Sequence, residues 1–402
     1  MPALSAIENA VVERASAEPM LDQVLEWSAL NSGSRNLPGL ERMAAVLADA
    51  FAVLPGELEL LDSEPVESVD SSGRTNALEH GQNLHLTVRA DAPVQLLFTG
   101  HMDTVFPVDH AFQQTRWLDD GTLNGPGVAD MKGGLAVMLA ALKAIEASDV
   151  AGKLGYEIVV NSDEEVGSLG SAALLARAAQ GKTAALTYEP SALPDGTLAG
   201  ARPGSGNYSL VVRGRSAHAG RNPEEGRNAL LAAADLALRL DSLKRDGLSV
   251  NPARIDGGSP SNVVPDMAVL RVNMRPRTPE LEAEAERAVE ELVAAVAAER
   301  EVTIEAHGGF GRPPKPMTED MERLFALVKA SGSDLGQDIG WKSTGGVCDG
   351  NNIAACGVPV VDTMGVRGGK IHSMEEYLIT GSLGERAALS ALTVLRIAEG
   401  RL

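Results

Sequence analysis

A histidine and an aspartate two residues apart follow directly after an apolar segment of the chain. Residues 94–99 predict a strand, and His101 and Asp103 come just after it. Open α/β sheets bind ligands at the carboxyl ends of their strands, so a ligand site is expected here. If the extended geometry continues, the two side chains point to one side. One can then bind a metal ion while the other holds the imidazole, unless the histidine simply lies in a solvated turn.

Three further acidic segments could supply oxygen ligands. Asp130 lies in a glycine-rich segment that opens a long apolar helix, where it is either an N-terminal cap or a metal ligand. Glu164 and Glu165 follow a predicted strand over residues 156–161, and Glu189 ends another short strand. Neighbouring acids on a loop are usually solvated. In a metal site, however, one can coordinate the ion while the other takes a proton from water.

A second histidine, His372, completes the set of candidate ligands. The segment after it, residues 373–376, has the Ser-x-x-Glu pattern of a capping box and predicts a short helix. Two imidazoles with three carboxylates and no thiolate favour zinc or a similar first-row metal over calcium. Five ligands are too many for one tetrahedral zinc unless a carboxylate is shared. A shared carboxylate predicts two metal ions, about 3.5–4 Å apart in sites of this kind.

Charge and composition narrow the classes of partner. The chain has 402 residues, of which 35 are Lys or Arg and 55 are Asp or Glu, for a formal net charge of −20. It therefore lacks the basic patch that nucleic acids and anionic membranes require, and neither is expected as a partner. Residues 1–21 do not resemble a signal peptide, and the most apolar stretch, residues 133–142, is too short to span a membrane. With two cysteines and no disulfide framework, we expect a cytoplasmic protein.

The pattern of helices and strands divides the chain into two domains. Residues 1–203 and 313–402 alternate helical and strand-like segments, which predicts an α/β catalytic domain with a mostly parallel central sheet. Residues 204–312 instead show the order βαββαβ, which is typical of an inserted ferredoxin-like α+β domain. Residues 204–206 and 312–316 are the predicted hinges.

Five segments together resemble the zinc aminoacylase and carboxypeptidase family of metallopeptidases. In chain order they read GHMDTVFP, GPGVADMKGG, NSDEEVGS, YEP and IHSMEEY. That family includes bacterial glutamate carboxypeptidase, which the chain resembles most, as well as acetylornithine deacetylase and succinyl-diaminopimelate desuccinylase. The resemblance covers most of the chain and implies that the inserted domain is a lid that forms a homodimer.

The resemblance also implies a role for each candidate residue. One zinc ion would be held by His101, Asp130 and Glu189, and the other by Asp130, Glu165 and His372. Cobalt or manganese could substitute for zinc. Glu164 would be the general base for the water that attacks an amide carbonyl, and Asp103 would orient His101.

Further residues match positions of the family that contact substrate. His218 resembles the lid histidine that enters the neighbouring subunit's active site and stabilises the oxyanion. The others are Asn262, Arg275, Arg312 and Gly346. Arg275 is the first candidate for gripping a substrate carboxylate, because a guanidinium fork fits a carboxylate bidentately. Glutamate-cleaving relatives carry a lysine where this chain offers Arg202.

The sequence therefore predicts a di-zinc hydrolase that cleaves the amide bond to a C-terminal amino acid, with glutamate as the first candidate. Its substrate would be a small N-acyl amino acid or peptide-like molecule with a free carboxylate. An N-acyl amino acid deacylase of the acetylornithine type runs the same reaction and is the nearest alternative. A non-catalytic binding protein on the same fold is a third reading, against which the complete ligand set and Glu164 argue.

Overall fold

The computed structural model describes residues 4–402. Residues 1–3, the first part of the segment in which no signal peptide is expected, lie outside the described residues. Within residues 4–402 the chain forms ten α-helices: α1 (Ala6–Ser16), α2 (Met20–Ser28), α3 (Leu37–Phe51), α4 (Gly133–Glu146), α5 (Ala172–Ala179), α6 (Ala229–Asp241), α7 (Pro279–Arg300), α8 (Glu319–Asp334), α9 (Asp349–Ala355) and α10 (Ser382–Ala398).

The strands of the same residues are numbered β1 to β18. They are β1 (Glu57–Leu61), β2 (Val66–Val69), β3 (Thr75–Leu78), β4 (Asn83–Val88), β5 (Val94–His101), β6 (Arg116–Asp119), β7 (Thr122–Asn124), β8 (Leu154–Asn161), β9 (Ala184–Thr187), β10 (Leu198–Ala199), β11 (Ser205–Arg213), β12 (Leu248–Gly257), β13 (Met267–Pro276), β14 (Thr303–Arg312), β15 (Trp341–Lys342), β16 (Val360–Val361), β17 (Gly368–Gly369) and β18 (Tyr377–Ile379).

The largest sheet has six strands in the order β1-β4-β8-β5-β9-β16. Strands β8, β5, β9 and β16 are parallel neighbours, whereas β4 runs antiparallel to both β1 and β8. The central sheet is therefore mixed: the predicted parallel arrangement holds for β8, β5, β9 and β16, and β4 departs from it. The connection from β4 to β5 is too short for a crossover helix, so the chain reverses its direction there.

Helices cover this sheet and close the main hydrophobic core. The apolar helix α4 is buried along most of its length, and α10 is buried nearly throughout. A helix with apolar residues all round is stable only inside the molecule, which explains this position. Residues of both helices pack in the same hydrophobic cluster as residues of the central strand β5. They therefore help to fix the position of His101, the last residue of β5.

Residues 205–312, called the βαββαβ unit below, form a sheet of their own. Its four strands lie in the order β12-β13-β11-β14, and every neighbouring pair is antiparallel. This order and connectivity are those of a ferredoxin-like unit. Helices α6 and α7 pack on one face of the sheet around a separate hydrophobic cluster. Whether the unit acts as a lid or as a dimerisation domain stays a prediction.

The β2–β3 hairpin packs against the other face of the βαββαβ unit. Val69 of the hairpin lies in a small apolar cluster with Val211 and Val269. Arg271 donates a hydrogen bond to the Val69 carbonyl at 2.8 Å, and Arg213 donates one to the Gly73 carbonyl at 2.8 Å. The unit is thus held at its hairpin face as well as at its two connections. None of the helices within residues 4–402 is both long and apolar enough to cross a membrane.

Candidate metal centre

Asp130 lies between two histidines, and each of its carboxylate oxygens faces a different imidazole. Oδ1 is 3.1 Å from Nε2 of His101, and Oδ2 is 3.3 Å from Nε2 of His372. The Asp130 side chain is buried. A carboxylate that faces two nitrogen ligands on opposite oxygens is the geometry that a shared bridging ligand requires.

Two glutamates complete the cluster, one beside each histidine. Oε2 of Glu189 is 3.7 Å from Nε2 of His101, and Oε2 of Glu165 is 3.1 Å from Nε2 of His372. Ligand atoms of His101, Asp130 and Glu165 also lie within 4.8 Å of one another, as do those of His101, Glu164 and Glu189. We pair Glu165 with His372 because that contact is the closer one. The two imidazoles, three carboxylates and absence of thiolates among these residues suit zinc.

The buried carboxylates of the cluster shift the pKa values of the two histidines and of Glu165. Burial opposes protonation of His101, yet Glu189, Asp103 and Asp130 together raise its pKa well above the usual range. Hydrogen bonds to Asp130 and Glu165 raise the pKa of His372 to about 11. Burial, followed by repulsion from Asp130, raises the pKa of Glu165 to about 7. Carboxylates this crowded are stabilised by a nearby cation, and a bound metal ion supplies one.

The segment that presents Asp130, Val128–Lys132, is a kinked turn that begins after Gly127 in the left-handed conformation (φ 72°), and the backbone of Asp130 itself is not helical. Helix α4 begins only at Gly133. Asp130 therefore does not cap the helix, and of the two interpretations open at the sequence level its position favours the ligand. Gly134 lies where a Cβ would come 1.9 Å from the Tyr188 carbonyl oxygen, so a glycine is required for α4 to approach Glu189.

Glu376 holds the Asp130 segment through hydrogen bonds to its backbone, a role that the sequence did not predict. Its buried carboxylate accepts hydrogen bonds from the backbone N–H groups of Gly127, Ala129 and Asp130 at 3.2, 3.0 and 3.1 Å. Burial, with Asp130 next, raises its pKa to about 8. The short helix predicted after His372 is wrong, because residues 373–376 form turns that lead into β18. The glutamate read as a capping residue instead bonds to a loop about 250 residues away in the chain.

Asp103 lies behind the cluster, where it contacts both a candidate ligand and the candidate base. Its Oδ1 is 3.3 Å from Nδ1 of His101, which also lies 3.0 Å from the Asp103 carbonyl oxygen. The carboxylate accepts hydrogen bonds from the backbone N–H groups of Glu164 and Glu165 at 3.2 Å each, and from the Ser34 hydroxyl at 2.7 Å. Asp103 is fully buried, so the solvated turn is excluded.

Glu164 lines the cavity beside the cluster, with its carboxylate next to Arg312. Nη2 of Arg312 lies 2.7 Å from Oε1 of Glu164, an ion pair whose angle is not that of a hydrogen bond. Burial raises the pKa of Glu164 well above its usual range, and Arg312 opposes this shift. Arg312 itself is buried and also contacts the cavity. It was expected to bind substrate, but its guanidinium is occupied by the candidate base.

A single cavity of about 1250 Å³ joins the metal cluster to the βαββαβ unit. Arg275 lies in its wall, where Nε donates to Oδ1 of Asn273 at 3.0 Å and Nη1 donates to the Gly345 carbonyl at 2.9 Å. Gly346 lies in the same wall. Seven of the predicted site residues thus share one cavity with Arg275: Asp130, Glu164, Glu165, Glu189, Arg312, Gly346 and His372.

Four predicted residues do not line this cavity. His101 and Asp103 are buried behind its surface. His218 and Asn262 are exposed, and they neighbour each other on the βαββαβ unit: the Ala219 N–H donates to the Asn262 carbonyl at 2.9 Å, and His218 bridges to Val263. The structure therefore does not bring them to the metal cluster of their own chain.

Arg202, the residue found in place of a family lysine, is already paired. Its Nε and Nη2 donate to the two carboxylate oxygens of the buried Asp362 at 2.7 and 3.1 Å. Its Nη1 donates to the Gly346 carbonyl at 3.2 Å. Because this bidentate ion pair occupies its guanidinium, Arg202 is a structural cation at the base of the cavity.

Comparison with known proteins identifies the family. The model of peptidase family M20/M25/M40 matches residues 97–396, which is well over half of the chain. The chain belongs to this family. As a member of M20, it is a hydrolytic enzyme, and the family resemblance seen in the sequence is confirmed. M20 enzymes typically depend on two metal ions, in keeping with the paired ligand set around Asp130.

The names of individual relatives indicate more than one activity. Carboxypeptidase G2 of Pseudomonas sp. (strain RS-16) is 29% identical over 329 residues, which cover 80% of this chain and 78% of the relative. Succinyl-diaminopimelate desuccinylase of Afipia carboxidovorans is 34% identical over 251 residues, which cover 57% of this chain and 64% of the relative. The M20 relatives therefore include both a carboxypeptidase and a deacylase.

Solved M20 structures share the fold over nearly the whole chain. The aminopeptidase PepT of Bacillus cereus superposes with a TM-score of 0.71 at 23% identity and covers 96% of this chain and 99% of its own. An M20 metallo-carboxypeptidase from Sulfolobus solfataricus superposes with a TM-score of 0.70 at 14% identity and covers 94% of this chain and 98% of its own. At these identities the likeness is one of fold.

Proposed function

We propose that this M20 enzyme is a di-zinc exopeptidase that cleaves the amide bond to a C-terminal amino acid, with glutamate as the first candidate. The observation that carries the proposal is the position of Asp130 between two imidazoles in the same cavity as Arg275. The cluster provides ligands for two cations, and Arg275 provides a cationic group for a substrate carboxylate. An amide substrate with a free carboxylate matches both ends of the cavity.

The ligands divide into two sets that share one carboxylate. The two sets are His101, Glu189 and Asp130, and His372, Glu165 and Asp130. When bound, the two zinc ions would polarise the amide carbonyl and lower the pKa of a water toward about 7. Asp103 orients His101, and Glu376 fixes the backbone that presents Asp130.

Glu164 is the proposed general base. It would take a proton from the attacking water and return it to the leaving amine, which requires a carboxylate at the cavity surface beside the metal ligands. Glu164 meets this requirement, since it lines the cavity and lies next to Glu165 in the chain. Its burial raises its pKa, which favours holding the proton between the two steps.

Arg275 is the proposed ligand of the substrate carboxylate. Its contacts with Asn273 and Gly345 hold the guanidinium at the cavity wall. Replacing Arg275 with methionine should raise KM much more than it lowers kcat, because a binding contact away from the reacting bond is lost. Lysine should rescue poorly, since it lacks the bidentate fork.

We further propose a homodimer in which His218 and Asn262 serve the neighbouring subunit. Both lie outside the cavity of their own chain. Helix α6 of the same unit exposes Leu231 and Leu238, which are seven residues apart and therefore on one face. Exposed leucines on one helical face support a contact with a second copy.

A mixing experiment tests the exchange of His218. Glu164→Ala and His218→Ala variants, each inactive alone, are unfolded together and refolded as mixed dimers. If His218 acts in the neighbouring subunit, each mixed dimer contains one site with both residues, and activity returns. If it acts within its own chain, no site is complete and the mixture stays inactive.

The decisive experiment for the reaction is a substrate panel with the zinc-loaded protein. It compares folate-type glutamates, dipeptides and N-acetyl or N-succinyl amino acids. Turnover of the glutamates or dipeptides supports the exopeptidase, whereas turnover of acylated diamino acids alone would make it a deacylase, the alternative that the desuccinylase relatives favour. Glu164→Ala should keep both metal ions and lose on the order of 10²–10⁴ in rate. If that variant stays fully active, Glu164 is not the base.

The metal is tested separately. After chelation, zinc, cobalt and manganese are added back one at a time, and the bound stoichiometry is measured by elemental analysis. Two equivalents of zinc with full activity are expected from the imidazole and carboxylate donors. One equivalent at saturation would exclude a bridging role for Asp130.

A further inference from the structure

Arg312 is the last residue of β14, yet its side chain lies on the loop that carries the proposed base. Its Nη2 is 2.7 Å from Oε1 of Glu164 and donates hydrogen bonds of 2.8 Å to the Glu164 carbonyl and to the Ser168 hydroxyl. One guanidinium nitrogen thus contacts both the side chain and the backbone of Glu164. The backbone of Arg312 meanwhile pairs with Ser205 at the edge of the βαββαβ unit.

Two segments of the chain, just before Ser205 and just after Arg312, connect the βαββαβ unit to the domain of the central sheet, and they are bonded to each other. Arg202 and Lys315, one from each connection, exchange backbone hydrogen bonds of 2.9 and 3.0 Å. Both side chains contact the buried carboxylate of Asp362, Arg202 through Nε at 2.7 Å and Lys315 through Nζ at 2.7 Å. Buried ions held in this way resist separation, because breaking the pairs would leave charges without partners.

The lock extends to the residues just before the unit. The buried Asn351 donates from Nδ2 to the carbonyls of Pro203 and Pro313, at 2.9 and 2.8 Å. A rotation of the unit must therefore occur beyond these two prolines. It would also break the hydrogen bond from Nδ2 of Asn352 in α9 to the Gly311 carbonyl at 3.0 Å and the hydrogen bonds between the unit and the β2–β3 hairpin. Gly204 and Arg312 are the next residues on the two connections, so Arg312 lies at the pivot and changes direction when the unit turns.

We propose that Arg312 is a positioning residue that couples the orientation of the βαββαβ unit to the placement of the Glu164 carboxylate. This inference rests on the proposed role of Glu164 as the base and assigns to Arg312 a role other than binding the substrate carboxylate. The contacts on the Glu164 carbonyl and on Ser168 fix the loop, and the ion pair fixes the carboxylate. A rotation of the unit at the pivot would therefore move the loop and the Glu164 carboxylate together.

Steady-state kinetics separate this role from substrate binding. Arg312→Met should lower kcat about 10- to 100-fold with KM nearly unchanged, because a base displaced by a fraction of an ångström loses rate and not affinity. Arg312→Lys should recover part of kcat, since it keeps the charge but not all three contacts. An increase in KM equal to that of Arg275→Met, with kcat retained, would make Arg312 a substrate ligand and overturn the proposal.

Hydrogen exchange tests the coupling without turnover. Gly204→Ala should strain the pivot, because its Cβ would lie 2.9 Å from Cδ of Pro314 and 3.0 Å from the Arg312 carbonyl oxygen. Backbone amides of residues 163–168 should then exchange faster in Gly204→Ala and in Arg312→Met, and no faster when the two changes are combined. The control is Gly152→Ala, whose Cβ would meet no atom within 4 Å.

The outcomes are distinct for the two proposals. If the loop exchanges at the wild-type rate in Gly204→Ala, or if the two changes add, the pivot and the loop are not coupled and the inference is wrong. Circular dichroism and thermal melting show whether Gly204→Ala folds. Gly206→Ala, whose Cβ would lie 2.6 Å from the Phe310 ring, serves as a second variant close to the pivot. A protein that turns over no member of the substrate panel but shows the expected exchange would overturn the proposed function and leave the coupling in place.

Discussion

The carboxylate of Asp103 accepts the backbone N–H of Glu164 at 3.2 Å while its Oδ1 lies 3.3 Å from Nδ1 of His101. One buried group thus orients a proposed metal ligand and the proposed base together. An imidazole that contacts a carboxylate through one nitrogen presents the other nitrogen to a metal in a fixed tautomer. The Asp103 side chain therefore fixes the end of β5, which carries His101, relative to the loop that carries Glu164.

We predict that Asp103→Asn lowers metal affinity and activity by about 10- to 100-fold. Asparagine keeps the volume, but its neutral amide cannot serve His101 and both loop N–H groups equally well. Metal affinity is measured by competition with a chromogenic chelator. The matched control is Asp109→Asn, an exposed aspartate in the following loop, which should behave as wild type. Equal affinity in the two variants would contradict the orienting role.

Glu376 leads to a second prediction about metal affinity. Its carboxylate accepts three backbone N–H groups around Asp130, and a glutamine can present only one acceptor oxygen. Glu376→Gln should therefore weaken metal binding about tenfold without removing a ligand. Glu375→Gln, at the exposed neighbouring position, is the control. If both variants bind metal equally tightly, the Asp130 segment does not depend on Glu376.

Features that are encoded locally could be predicted from the sequence. Helix α7 begins where local signals indicate a helix start, because Thr278 caps it and Pro279 occupies its first turn. The order βαββαβ follows from hydrophobic periodicity in the same way. Candidate ligands could be found because His101 and Glu164 lie where strands β5 and β8 end, and strand ends are visible in the pattern.

Features that depend on distant partners could not be predicted. The reversed direction of β4 depends on which strand it pairs with, and local propensity does not report pairing. Glu376 looked like a helix cap because a serine precedes it by three residues, but its partners lie about 250 residues away. Arg312 looked like a hinge or substrate residue, although its contact with Glu164 spans 148 residues of chain. Such contacts are visible only once the fold is known.

Asp362 gives a prediction about stability. Its buried carboxylate contacts Arg202 and Lys315, so Asp362→Asn would leave two buried cations without a counterion. Loss of one partner of a buried ionic network typically costs about 3–5 kcal/mol, and urea unfolding should show a decrease of that size. The control is Asp320→Asn, which breaks an exposed pair with Arg323 and should cost about 1 kcal/mol or less. A decrease as small as that of the control would mean that the two connections are not locked by charge.

Glu8 gives a prediction about the pH dependence of stability. It joins the N-terminal helix α1 to α10, since its carboxylate accepts hydrogen bonds from the Ser5 N–H at 2.8 Å and from Nε of Arg396 at 2.9 Å. Burial opposes ionisation, but the contacts with Ser5 and Arg396 outweigh it and lower the pKa of Glu8 below its ordinary value of 4.5. A lowered pKa in the folded state stabilises the protein at pH values above 4.5, and this contribution is lost as the pH falls through the folded-state pKa.

We therefore expect Glu8→Gln to be less stable than wild type at neutral pH, and the difference to shrink as the solution is acidified below the ordinary glutamate pKa. Urea unfolding at a series of pH values between neutral and strongly acidic measures the difference directly. Glu13→Gln, an exposed glutamate of the same helix, controls for the loss of one negative charge and should track wild type throughout. A difference for Glu8→Gln that stays constant across the series would show that the side chain stabilises α1 by packing, because only the ionised carboxylate gives a contribution that protonation removes.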